Sequence, residues 1–309
     1  MPMIRINAVH DQPFGHSCAR SLAQVLSEQG HATGPALIMI HGCKYRPQDP
    51  KRCPHNSIMA LHPVDHPNDT PSWPRRLGFG SGFDSEGLGI AFGWNATGAL
   101  WQAQARATQA GRALANTICA LHMACPGRAV HVLAHSMGLE VVLEALHHLE
   151  PGMIGRIISM TGASYQSRVL ASLATPAGRA AEFVNVTSRE NDLFDFLFER
   201  LFAPPVKGDR AIGQGLSAPN VVTLQLDCTD TLAHLRHLGL PIAAPERRIC
   251  HWSSYRRPGL LELYKQILRH PKRWPLSMLR VGLPLDPAPR WSRLMPRAAM
   301  MLPFGTKTG

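Results

Sequence analysis

The segment Ala134-His135-Ser136-Met137-Gly138 carries the strongest chemical signal in the chain. It follows a short apolar run, Ala129 to Leu133, and opens a stretch from Met137 to Leu149 with helical periodicity. A serine on a tight strand-to-helix turn presents its hydroxyl at the carboxyl end of a sheet, where it can attack a carbonyl. That turn forces an unfavourable backbone conformation on the serine, so the residues two before and two after it must be small. Ala134 and Gly138 meet this demand. The same serine would also serve as the N-cap of the following helix. As a nucleophile it would need help at neutral pH: a histidine to take its proton and a carboxylate to orient that histidine.

The elements that would position these groups can be read from apolar runs and breakers. Ile4 to Val9 reads as an opening edge strand and Ala19 to Gln29 as a short helix closed by Gly30. Ala36 to Ile40 and Leu88 to Trp94 read as buried strands, and Thr97 to Met123 as a long Ala-rich helix. Ile154 to Met160, Ala181 to Thr187 and Val221 to Leu226 are further strands, and Pro258 to Leu268 is a last helix. Strands alternating with helices predict a mostly parallel central sheet with helices on both faces, a three-layer α/β architecture. Residues 43–88 form a long Pro-, His- and Gly-rich excursion, either functional or mobile. The phenylalanines from 193 onward suit a core helix or a cap over 193–220. The expected organisation is one domain over 1–268 followed by a basic tail over 269–309, with weak order in the tail.

The Ala-His-Ser-Met-Gly segment resembles the nucleophile elbow of α/β-hydrolases, in the form found in bacterial lipases and esterases. The resemblance covers about residues 30 to 268 and implies an α/β-hydrolase fold. It implies a chain order of Ser136, then an acid, then a histidine. Asp192, just after the Phe183 to Thr187 run, fits the acid, with Glu190 and Asp195 as rivals. His251, in a loop before the last helix, fits the base, with His234 and His237 as rivals on a helical stretch. By the same resemblance the oxyanion donors are the backbone amides of Met137 and of Cys43, which follows His41-Gly42 at the end of an early strand. The implied activity is a serine hydrolase, carboxylesterase- or lipase-like, cleaving a carboxylic ester or thioester of a small-molecule or lipid-like substrate, with no metal or organic cofactor. A non-catalytic scaffold and an acyltransferase using the same groups are the alternatives.

Composition narrows the remaining classes. The 309 residues carry a net charge of +11, and the segment from Arg269 to Gly309 alone holds eight Lys or Arg against one Asp. The body is only mildly basic, so nucleic acid is not an expected partner. The tail, with Trp274, Trp291 and Leu294 among its arginines, could touch an anionic membrane surface weakly. The chain has no apolar run of the roughly 18–20 residues that a spanning helix needs. Seven scattered cysteines and no apolar leader give a cytoplasmic expectation. Gly78 to Gly82 is expected as a flexible loop near the site mouth, and Cys53, His55, His62, Asp65 and His66 have irregular spacing for a metal site.

Overall fold

Ala36–Ile40 (β3), Leu88–Gly93 (β4) and Val130–His135 (β5) are buried along their whole length. Strands read as continuous apolar runs, rather than alternating ones, when both faces of a parallel sheet are covered. The computed structural model describes residues 3–16, 21–28, 33–63 and 70–284. The other strands are Met3–Val9 (β1), Gln12–Gly15 (β2), Arg156–Met160 (β6), Glu182–Thr187 (β7) and Val221–Gln225 (β8). They form one eight-stranded sheet in the order β2-β1-β4-β3-β5-β6-β7-β8. All neighbours are parallel except β1 and β2, which pair antiparallel. The edge is therefore β2, not β1: the chain turns back at His10 and adds a short outer strand.

Helices cover both faces. They are Leu22–Ser27 (α1), Trp73–Arg76 (α2), Leu100–Ala124 (α3), Gly138–Ala145 (α4), Gln166–Leu173 (α5) and Pro176–Ala180 (α6). Asp192–Leu201 (α7), Thr229–His237 (α8), Ser253–Arg256 (α9), Leu260–Arg269 (α10) and Leu276–Arg280 (α11) follow. Strand side chains alternate between the two faces, as the two-residue repeat requires. Ala36, Ile38 and Ile40 join a core with α3 and α4, whereas Leu37 and Met39 join a second core with α2 and α10. This is an α/β fold in three layers, with a mixed, mostly parallel sheet.

Two sequence expectations change. Within the 43–88 excursion, Trp73, Leu77 and Phe79 are fully or almost fully buried in the second core, so much of it is pinned. The first part of the basic tail is also packed. Trp274 and Leu279 are buried, and the buried Arg156 donates from Nη1 to the carbonyl of Trp274 at 2.9 Å. Residues 285–309, with Trp291 and Leu294, lie outside the described residues, as do Asp65 and His66.

Candidate active site

Register brings the chemistry together. Ile40 pairs with Ala134 across β3 and β5, so His41-Gly42 and His135-Ser136 leave the sheet side by side. Met160 pairs with His135 and with Val186, which delivers the loop after β7 to the same edge. Ser136 lies between the end of β5 and the start of α4, at φ +54°. A non-glycine residue in this region costs on the order of 1–3 kcal/mol, and it persists only where the surroundings impose it. Here the Ser136 amide donates to the Met160 carbonyl at 3.0 Å, and the Ala163 amide donates to the Ser136 carbonyl at 3.1 Å.

Close backbone approach explains the small residues around the serine. A Cβ on Gly138 would stand 2.5 Å from the His41 carbonyl oxygen. A Cβ on Gly42 would stand 2.7 Å from the Ser136 Cβ. Ala134 is wholly buried in the sheet. His41 fixes the Gly42 turn. Its Nε2 accepts from the Trp94 amide at 3.1 Å, which leaves Nδ1 to donate to the Gly42 carbonyl at 2.8 Å. The Trp94 indole N–H donates to the His41 carbonyl at 3.0 Å. Burial depresses the His41 pKa to about 4, consistent with a neutral ring in this role.

His251, in the loop before α9, places Nε2 2.9 Å from the Ser136 Oγ. Its Nδ1 faces the Oδ1 of Asn191 at 2.6 Å. Asn191 Nδ2 donates in turn to Asp195 Oδ1 at 2.9 Å. This second bond orients the amide so that its oxygen, a pure acceptor, faces the imidazole. Nδ1 then carries the proton and Nε2 offers its lone pair to the serine hydroxyl.

The structure thus does not bring Asp192 to the imidazole; Asn191 takes the position expected of it. Arg189–Asn191 form a turn of 3-10 helix, where consecutive side chains diverge by about 120°. Glu190 points the other way, to the Ser188 hydroxyl and to Arg257, with which it forms a buried ion pair. Asp192 is the buried first residue of α7. Asp195 lies one helical turn beyond Asn191, close enough to meet its amide. His234 and His237, the rivals for the base, sit on α8.

The electrostatics favour a neutral base. Burial, and then the nearby His135 and Lys44, hold the His251 pKa well below its ordinary value. His135 packs against His251 with ring centroids 4.7 Å apart, and its Nε2 lies 3.2 Å from the His251 carbonyl. Burial also takes the His135 pKa down to about 4, so Nε2 can donate from a neutral ring and anchor the His251 loop. Phe194, from α7, also packs against the His251 ring, with centroids 4.6 Å apart. In the same helix Phe198 is buried in the first core. Phe194 and Phe198, one turn apart, share a face of α7, which therefore runs from the His251 ring into the core.

The backbone amides of Cys43 and Met137 make no hydrogen bond among the described residues. Their side chains touch, Sγ to Sδ, at 3.7 Å. Burial pushes the Cys43 thiol up to about 11, so it is no rival nucleophile at neutral pH.

Residues 76–158 match the family model described as "Alpha/beta hydrolase of unknown function (DUF900)". Over this stretch the chain is similar to α/β-hydrolases, and its mostly parallel eight-stranded sheet is consistent with their fold. No curated protein matches it. The matched stretch runs from α2 to β6 and contains Ser136, but it stops short of Asn191 and His251.

Two further expectations find other places in the fold. The Gly78 to Gly82 loop precedes β4, at the amino-terminal edge of the parallel sheet and opposite Ser136. Glu86 pins it by accepting from the Gly80 amide at 2.8 Å, and the Arg269 guanidinium covers Phe79 at 4.6 Å. His55 is buried and meets Asn7 at 2.7 Å, while His62 faces Arg75 at 3.3 Å, so these two histidines diverge. Among the described residues no helix is long and apolar enough to cross a membrane. Asn191, His135 and Trp94 are the residues that motif reading missed. Asn191 stands in the same polar turn as Asp192, and its amide oxygen can accept from an imidazole as a carboxylate does.

Proposed function

We propose that this α/β-hydrolase cleaves a carboxylic ester or thioester through an acyl-enzyme on Ser136. The observation that carries this reading is the 2.9 Å approach of His251 Nε2 to the hydroxyl of a serine held at φ +54°. Ser136 Oγ bonds to the carbonyl carbon while its proton passes to His251 Nε2. The resulting oxyanion accepts from the Cys43 and Met137 amides, each such donor contributing about 3–4 kcal/mol of transition-state stabilisation. Collapse breaks the carbonyl bond to the leaving oxygen or sulfur, which takes the proton from Nε2. Water then attacks the acyl carbon, gives its proton to Nε2 and releases the acid, and the proton returns to Ser136. Asn191 holds the imidazole in the tautomer that both half-reactions need.

A fluorophosphonate probe tests the assignment directly. The native protein should be labelled and should hydrolyse p-nitrophenyl esters. Ser136→Ala should abolish both, and His251→Ala should slow both strongly. Labelling that persists in Ser136→Ala, or a folded native protein that neither reacts with the probe nor hydrolyses any ester, would favour a non-catalytic scaffold instead.

A further inference from the structure

A cavity of about 1330 Å³ adjoins the proposed oxyanion donor and the loop that bears the base. Cys43 lies on its wall, as do Trp252, next to His251, and Tyr255 of α9. The cavity's charges have one sign. Lys44, Lys51, Arg52 and Arg256 line it, and among the described residues no Asp or Glu does. Lys44, Lys51 and Arg52 are exposed and form no ion pair among the described residues. The nearby Asp49 carboxylate is turned onto backbone, accepting from the amides of Lys51 at 2.9 Å and Arg52 at 3.0 Å. That turn displays the two side chains together.

The backbone also holds Lys44 in place. It sits at φ +78°, outside the region that a lysine prefers. Its amide donates to the Ala96 carbonyl, and the Ala96 amide donates to the Tyr45 carbonyl, both at 2.9 Å. Strained residues held by their surroundings concentrate at functional sites. A cleft walled by one sign of charge focuses its potential and concentrates ligands of the opposite sign.

We infer that the substrate of this hydrolase is an ester or thioester bearing an anionic group, a carboxylate or phosphate, which binds Lys44, Lys51 and Arg52 while the carbonyl lies at Ser136. The inference rests on the hydrolase reading above and adds the substrate class. The cations bind the end of the substrate remote from the reacting carbonyl, so their interaction energy positions it for attack.

Matched substrates test it. Mono-p-nitrophenyl glutarate carries a carboxylate on its acyl tail, and p-nitrophenyl pentanoate is its neutral counterpart. A pentanoate of a carboxylated nitrophenol carries the charge on the leaving group instead. At low salt kcat/KM should favour one of the two charged esters by roughly tenfold or more, the equivalent of one charge-assisted hydrogen bond. Which ester gains tells which side of the scissile bond faces the cavity. Added salt should shrink the preference, and Lys44→Gln, Lys51→Gln and Arg52→Gln combined should bring the ratio close to one. Inorganic phosphate and glutarate as competitors separate phosphate from carboxylate recognition. Fluorophosphonates with carboxylate and methyl tails give the same ratio as labelling rates at Ser136, whether or not an ester turns over. Equal rates for charged and neutral partners, or a preference that survives the triple substitution, overturn the anionic-substrate inference and leave the hydrolase reading standing. Loss of labelling with every probe overturns the hydrolase reading itself.

Discussion

His251 directs its Nδ1 at the amide oxygen of Asn191, 2.6 Å away, and so meets a neutral acceptor where a carboxylate was expected. An amide can fix the tautomer and the ring orientation, but it carries no charge to offset an imidazolium. Asp195, 2.9 Å beyond on the Asn191 Nδ2, supplies a carboxylate one residue removed.

Asn191→Leu should therefore lower kcat on the order of a hundredfold or more, within the range that an oriented general base contributes. Asp195→Ala should act through Asn191, freeing the amide to turn its NH2 toward the imidazole and favour the wrong tautomer. We expect a smaller loss, with Asp195→Asn recovering much of it because its side-chain oxygen still accepts. Steady-state kinetics on a p-nitrophenyl ester distinguish these outcomes. Equal losses in both Asp195 variants would contradict the relay.

Gly42 is held by contact rather than by φ. The methyl of Gly42→Ala would have to displace the Ser136 Cβ from 2.7 Å. Misplacing a reacting group by about an ångström costs on the order of a hundredfold in rate. Overpacking costs about 1–3 kcal/mol in stability. A folded Gly42→Ala protein with native probe reactivity would refute the argument.

The elbow should also reverse an ordinary stability rule. Glycine is usually less stable than alanine within regular structure by roughly 0.5–1 kcal/mol. At φ +54° alanine keeps the strain that glycine relieves. Ser136→Gly should therefore melt above Ser136→Ala, in thermal unfolding followed by circular dichroism.

Protonation should oppose the fold below neutrality. His41 and His135 both have folded-state values of about 4 against an ordinary 6.5. Between those values the unfolded chain binds more protons than the folded one, so stability falls as pH falls through that window. Above 6.5 their contribution is complete. Tm should drop between neutral pH and about pH 4.5, and a flat profile would contradict the assignment. The lowered value of His251 predicts a parallel effect on rate. In short assays on still-folded protein, kcat/KM should hold to a pH below the ordinary histidine range.

Much of this was legible in the sequence, for identifiable reasons. Continuous apolar runs such as Ala36 to Ile40 show strands covered on both faces, and the small residues flanking Ser136 show a turn that admits nothing larger. Both are local demands, so they leave local traces. His251 could be singled out because it stands in a loop before a final helix while its rivals stand in a helical stretch. The partner of its Nδ1 could not. Glu190, Asn191, Asp192 and Asp195 lie within six residues of each other, and composition gives each carboxylate a similar claim. The 3-10 turn at Arg189–Asn191 decides among them by rotation, sending Glu190 to Arg257 and Asn191 to the imidazole. Long-range packing likewise placed the Gly78 to Gly82 loop at the far edge of the sheet and set Lys44, Lys51 and Arg52 beside the site. Sequence alone determined which residues had the chemistry and the conformational tolerance. The tertiary structure decided which of them face one another, because direction in space depends on turns and contacts between segments far apart in the chain.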